Sequence, residues 1–210
     1  ITITATDGID AVNDGDITND DELTVTFTSS EATTDFAVGD ITSTNGNLSS
    51  FAATSSTVYT ATFTPTAEGD ATIDVAASMF TDDANNNNES ATQFNWTYDI
   101  SPPNLTDPFT LIGDNSGVVI TGGMHYNGNN GVAEPITITF IWDENVTPSF
   151  ISGVIDVEGL FTEGDFDNTD ITGPEYVYTL GITPDSESDG EISITIEANS
   201  VQDAAGNTAP

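Results

Sequence analysis

Lysine, arginine and cysteine are absent from this chain of 210 residues, and only one histidine is present. Missing cations come close to excluding a nucleic-acid binder, because phosphate must be neutralised by Lys or Arg. A polybasic membrane-surface anchor is excluded for the same reason. Catalysis by Lys, Arg or Cys is impossible, and no salt bridge to Lys or Arg can form within the chain. Without cysteine there is no disulfide framework, and the redox compartment stays open. Leucine is scarce, at 6 residues against 34 Thr. No apolar run approaches the roughly 20 residues of a membrane helix, and no amphipathic helix of ordinary length is visible. A start at Ile1, with no initiator methionine, signal peptide or tag, reads as a mature or excised segment.

What is present is acid and threonine. Asp and Glu number 35, for a formal charge of −35 with His neutral. Hydrophobic content is 36%, low but enough for a core, and its patterning argues against disorder. Thr favours pleated, half-buried surfaces. Period-2 runs recur at Ile1-Thr2-Ile3-Thr4, Leu23-Thr24-Val25-Thr26-Phe27, Tyr59-Thr60-Ala61-Thr62-Phe63, Ile136-Thr137-Ile138-Thr139-Phe140 and Ile192-Ser193-Ile194-Thr195-Ile196. Each predicts a strand with one buried face. Clusters of Asp, Asn, Gly and Pro between them predict turns.

The chain repeats internally. Residues 23–31 match 136–144, Val58-Tyr59-Thr60 matches Val177-Tyr178-Thr179, and 75–86 match 196–207. Both copies reach Thr-Pro, at Thr64-Pro65 and Thr183-Pro184. The boundary falls near Asp99-Ile100-Ser101-Pro102-Pro103, where paired prolines favour an extended linker. The expected organisation is all-β, with two tandem β-sandwiches over residues 1–100 and 101–210.

Thr-Val-Thr-Phe-Thr-Ser-Ser-Glu, Val-Tyr-Thr-Ala-Thr-Phe-Thr-Pro, Asp-Ala-Ala-Gly-Asn and Tyr-Asp-x-x-Pro-Pro occur in order, most of them in both copies. The pattern resembles the bacterial Ig-like repeats of large surface adhesins. That resemblance implies Ig-like sandwiches in an extracellular stalk or fibre at the cell surface, often stiffened by Ca²⁺. Copy one departs from it at Asn85, where Gly is usual, so the turn there is expected to differ.

In such a sandwich, loops alternate between two poles. The joint between the copies is expected to gather the acidic first loop of copy one, with Asp14, Asp16, Asp20 and Asp21. It would also gather the linker residue Asp99, and Glu144, Asp203 and Asn207 of copy two. Glu31, Asp82, Asp83 and Asn86 form the matching set at the free pole of copy one, where a preceding module would complete a site. Such oxygen-rich sets fit the tolerant geometry of Ca²⁺ better than the strict octahedron of Mg²⁺. No EF-hand spacing occurs. Asp and Asn also favour turns without any metal.

Copy one ends on an alternating run with Phe94, Trp96 and Tyr98 on one face, for which copy two has no counterpart after Asn207. An edge strand is therefore expected to be missing from copy two. Ile1 to Thr6 can be read as the first strand of its own domain. The alternative is a strand donated to copy two of a neighbouring chain, which would build a head-to-tail filament.

Other features point away from an enzyme. His125 sits among glycines, as a solvated loop residue would, with no second His or Cys for a transition metal. No Gly-x-Ser-x-Gly elbow occurs, and acid pairs carry no signal in so acidic a chain. Trp96 and Trp142 follow core periodicity rather than forming an exposed sugar platform, which weakens a carbohydrate-binding accessory role. Sequons lie at Asn47, Asn88, Asn95, Asn104 and Asn145. The expected partners are neighbouring copies of the chain or adjacent Ig-like repeats, with no nucleic acid and no membrane insertion.

Overall fold

Leu23, Val25 and Phe27 alternate with Thr24, Thr26 and Thr28, and only the first set is fully buried. The same split recurs with Tyr59, Ala61 and Phe63, and again with Phe94 and Trp96. This period-2 burial defines sheets packed on one face. The computed structural model describes the backbone of residues 1–113, 124–126, 136–146, 155–158, 161–170, 176–184, 190–196 and 198–210. It describes side chains for 1–106, 139–146, 177–179, 196 and 198–210. The chain divides into two compact units, Ile1–Ile100 and Ser101–Pro210.

Unit 1 contains β1 (Thr2–Thr6), β2 (Ala11–Val12), β3 (Ile17–Thr18), β4 (Leu23–Thr28), β5 (Thr42–Thr44), β6 (Gly46–Ala53), β7 (Val58–Pro65), β8 (Gly69–Asp74) and β9 (Phe94–Tyr98). One sheet has the order β2-β1-β4-β7-β6 and the other β3-β9-β8-β5. All pairs are antiparallel except β3 with β9. The two sheets share one buried cluster. Phe63 on β7 and Trp96 on β9 meet across it edge to face, with ring centroids 4.7 Å apart. Phe36, in the loop after β4, touches the rings of Phe27, Phe51, Tyr59 and Phe80 and closes one end of the core. Fully burying each of these large side chains contributes about 1.5–3 kcal/mol.

Strand β1 lies between β2 and β4, with Ile3 opposite Phe27 and Ala5 opposite both Val25 and Val12. Of the two readings of the N-terminal run, the structure therefore adopts the one in which it belongs to its own domain.

Unit 2 contains β10 (Leu105–Gly113), β11 (Met124–Tyr126), β12 (Ile136–Trp142), β13 (Ile155–Glu158), β14 (Phe161–Asp170), β15 (Tyr176–Pro184) and β16 (Gly190–Ile196). Its sheets have the orders β10-β12-β15-β14 and β11-β16-β13. The first repeats β1-β4-β7-β6, and β16-β13 repeats β8-β5. Phe140, Trp142 and Tyr178 are buried in it, the first two as their period-2 spacing predicts. His125 was expected in a loop but belongs to the backbone of β11; its side chain lies outside the described residues. Three residues flanked by glycines carry no period-2 signal, so only pairing to β16 makes them a strand.

Among the described residues there is no α-helix, and no helix long and apolar enough to cross a membrane.

Candidate functional site

The turn before the last strand of unit 1 is built by one carboxylate. Asp82 Oδ1 accepts the backbone N–H of Asn86 at 2.8 Å, and Oδ2 accepts the Asn86 side-chain amide at 2.8 Å. Bonds from the Asn86 side chain and then its backbone hold the Asp82 carboxyl below its ordinary pKa range. Glu31 and Asp83 are exposed.

Unit 2 repeats this turn bond for bond. Asn207 donates its backbone N–H to Asp203 Oδ1 and its side-chain amide to Oδ2, both at 2.8 Å. The surrounding backbone bonds correspond as well: Asp82 to Asn86 and Asp203 to Asn207 are each 3.0 Å. Asn85 was expected to change the turn. Instead it adopts φ 64°, beside φ 93° for Gly206 at the matching position. Asn accepts the left-handed region through its short polar side chain, at a cost Gly does not incur.

The acids of the first loop serve a different end. Asp14 Oδ1 accepts both the backbone N–H and the side-chain amide of Asn95 on β9, at 2.8 and 2.7 Å. Asp16 Oδ2 accepts the backbone and side-chain N–H of Asn13. Asp20 accepts the Thr18 hydroxyl, and Asp21 is exposed. Asp99 is half-buried, and its N–H donates to the Thr18 carbonyl at 3.1 Å. Among the described residues of unit 1, no three acidic side chains converge on one another. Asp14, Asp16 and Asp20 cap and pin loops, as Asp does in Asx turns.

At the end of unit 2 that carries the repeated turn, the arrangement is denser. Ligand-capable oxygens of Glu144 and Asp203 lie within 4.8 Å of each other. Asp203 is 2% exposed and Glu144 half-buried. Asn207 also donates to the Ser101 carbonyl at 3.3 Å, which ties the turn to the start of the unit. Asp143 Oδ1 accepts the Asn104 N–H at 2.8 Å and fixes the residue next to Glu144. Two carboxylates at this distance repel by about 3 kcal/mol at an effective dielectric of about 20. A buried carboxylate needs hydrogen bonds or a cation, and the chain has no Lys or Arg to offer one. The donor set is all oxygen, which suits a hard divalent cation.

Asp35 went unnoticed in the sequence. It accepts the Thr33 hydroxyl at 2.7 Å, and the Thr81 N–H and hydroxyl at 3.1 and 2.9 Å. Bonds from the Thr33 side chain and then Thr81 hold its carboxyl below the ordinary range. It clasps the loop after β4 to the loop before β9. Only the short Thr33-Thr34-Asp35 spacing could have signalled it.

Residues 4–98 match the family model of a bacterial Ig-like domain. This Ig-like match covers all nine strands of unit 1, apart from the first residues of β1. An Ig-like domain is a structural fold, and bacterial ones are typically surface-exposed. No curated protein and no solved structure shows a significant match to the chain.

Proposed function

We propose that the chain is a structural module of an extracellular stalk or surface fibre, stiffened by Ca²⁺ at the joint between its units. The observation that carries this reading is the Glu144–Asp203 pair, with one carboxylate buried in a chain that has no Lys or Arg. Asp99 is the third ligand of the proposal. It stands two residues before Ser101, whose carbonyl accepts the Asn207 amide, so two peptide units limit how far it can stray. A cation there offsets carboxylate repulsion and restricts the linker. Neighbouring Ig-like repeats, or further copies of the chain, are the partners in this reading. The carboxylates act as ligands and not as catalysts.

Thermal melting tests the cation. Binding at the affinity of extracellular modules, with a Kd near about 1 mM, contributes about 1.4 kcal/mol at about 10 mM Ca²⁺. Relative to EDTA, the transition of unit 2 should rise by about 5–10 °C. NaCl of equal ionic strength and Mg²⁺ should do less. Glu144→Gln combined with Asp203→Asn should remove the Ca²⁺-specific increment. A Ca²⁺ shift no larger than that of matched NaCl would sink the reading.

A further inference from the structure

A sheet edge presents unpaired N–H and C=O groups, and proteins blunt it with short strands, charge, proline or bulges. The two sheets of unit 1 end on β2, β6, β3 and β5. Three of these edges are blunted. Strands β2 and β3 have two residues each, and β5 has three. Each starts within two residues of an acid: Asp10 before β2, Asp16 before β3 and Asp40 before β5. The fourth edge differs. Strand β6 runs for eight residues, Gly46-Asn47-Leu48-Ser49-Ser50-Phe51-Ala52-Ala53, with no charge and no proline. It lies within residues 41–67, which hold no acid, although 17% of the chain is acidic. Its chain neighbours β5 and β7 are both paired within unit 1. Among the described residues, which include all of unit 1, no strand pairs with the outer side of β6.

Unit 2 carries the guarded form of the same edge. Strand β14 ends the sheet β10-β12-β15-β14 as β6 ends β1-β4-β7-β6. It contains Glu163, Asp165, Asp167 and Asp170, where β6 contains no acid. We infer that β6 of unit 1 pairs antiparallel with β6 of a second copy of the chain, joining two five-stranded sheets across a two-fold axis. Charge selects this occupant. A basic partner is drawn to the acids elsewhere on the chain, and an acidic one is repelled. In a chain of −35, a neutral edge is where two copies meet without opposing carboxylates. Ser50, at φ 52°, lies in a bulge where the register with β7 shifts between Ser49 and Ala52. Ahead of it, Gly46, Asn47, Leu48 and Ser49 stay in regular register with Pro65, Thr64, Phe63 and Thr62. This straight part is the one that pairs. Leu48 packs on the core, while Asn47 and Ser49 are exposed. Main-chain hydrogen bonds supply the affinity. The same patch is used on both copies, so the contact closes at a dimer instead of growing into a fibre.

Sedimentation equilibrium of the full chain tests the dimer, with EDTA throughout so that the outcome is independent of Ca²⁺. At about 150 mM NaCl the native chain should dimerise with a Kd below about 1 mM. At about 10 mM NaCl the screening length grows from about 8 to about 30 Å, and the dimer should weaken. Asn47→Asp with Ser49→Asp gives β6 acids as β14 has them, and should raise the Kd at least about tenfold. Thr24→Asp with Thr28→Asp adds the same charge at exposed positions of β4, which is interior to its sheet. That control should change the Kd by less than about threefold. Circular dichroism matching the native chain establishes that each variant folds. Asn47→Asp alone, which keeps the shape of the side chain, takes the place of the double variant if the latter unfolds. Four results overturn the proposal: a native chain that stays monomeric up to about 1 mM, a dimer that tightens at low salt, a folded edge variant that dimerises like the native chain, or equal weakening by the edge and control variants.

Discussion

Asn88 shows how much work one amide does in a chain that lacks cations. Its Oδ1 accepts the N–H groups of Met79 and Phe80 at 2.7 and 3.0 Å. Its amide donates to the carbonyls of Ala76 and Glu89, both at 2.8 Å. From the sequence it stood out only as a sequon. The bonds it makes were not legible, because they depend on the left-handed turn at Ser78, with φ 65°. Asn88→Ala is expected to lower the stability of unit 1 by about 2 kcal/mol, or about 10 °C in Tm. Asn47→Ala, at an exposed sequon, should leave the melt nearly unchanged. Equal shifts for the two variants would show that the amide network is dispensable. Asp14 teaches the same lesson. Composition located it in an acidic loop, but its partner Asn95 lies 81 positions away, and no local pattern records such a pairing.

At the scale of strands, alternation was enough. The Leu23-Val25-Phe27 and Phe94-Trp96 faces were legible because period-2 burial follows from the pleat itself. Strand β11 was not, since three residues between glycines become a strand only when β16 offers an edge. Gly46 was also unremarkable in the sequence, yet it begins β6 against β7. A Cβ there would enter the Phe63 ring and meet the Thr64 carbonyl at 2.7 Å. Because Phe63 also supports Trp96 across the two sheets, the ring has little freedom to retreat. Gly46→Ala is expected to destabilise unit 1 by about 3 kcal/mol. Urea unfolding should report this as a lower midpoint at constant slope. An unchanged midpoint would mean the ring moves aside freely.

For the whole molecule, charge governs how stability responds to solvent. Thirty-five acids and no Lys or Arg leave net self-repulsion that opposes the compact state. Raising NaCl from about 10 to about 150 mM shortens the screening length from about 30 to about 8 Å, so Tm should rise steadily. Acid acts in two directions. Protonation of scattered carboxylates relieves repulsion. Asp7, Asp35 and Asp82 oppose this, each held below the ordinary value of 3.8 by hydrogen bonds: from the Ile9 N–H, the Thr33 hydroxyl and the Asn86 side chain first, respectively. A depressed pKa contributes stability that is present above the unfolded value and lost as pH falls through the folded one. Stability should therefore rise on approach to pH 3.8 and turn over below it. Asp35→Asn should flatten the falling limb in pH-dependent melts, and an unaltered limb would remove Asp35 from this account.

The first loop of unit 1 has a consequence for tension. Through β2 it covers β1, and through β3 it covers β9, so both terminal strands of the unit are interior to their sheets. A pull on the ends of unit 1 enters at β1 and leaves at β9. Each strand is held on both sides. The second row is short, since β2 covers β1 only at Ala5 and Thr6 and β3 covers β9 only at Thr97 and Tyr98, but it must break before the end of either strand comes free. Releasing either one breaks two rows, and the loop that supplies the second row is itself pinned to β9 by Asp14. Residues that read in the sequence as an acidic loop thus act as a brake on mechanical unravelling.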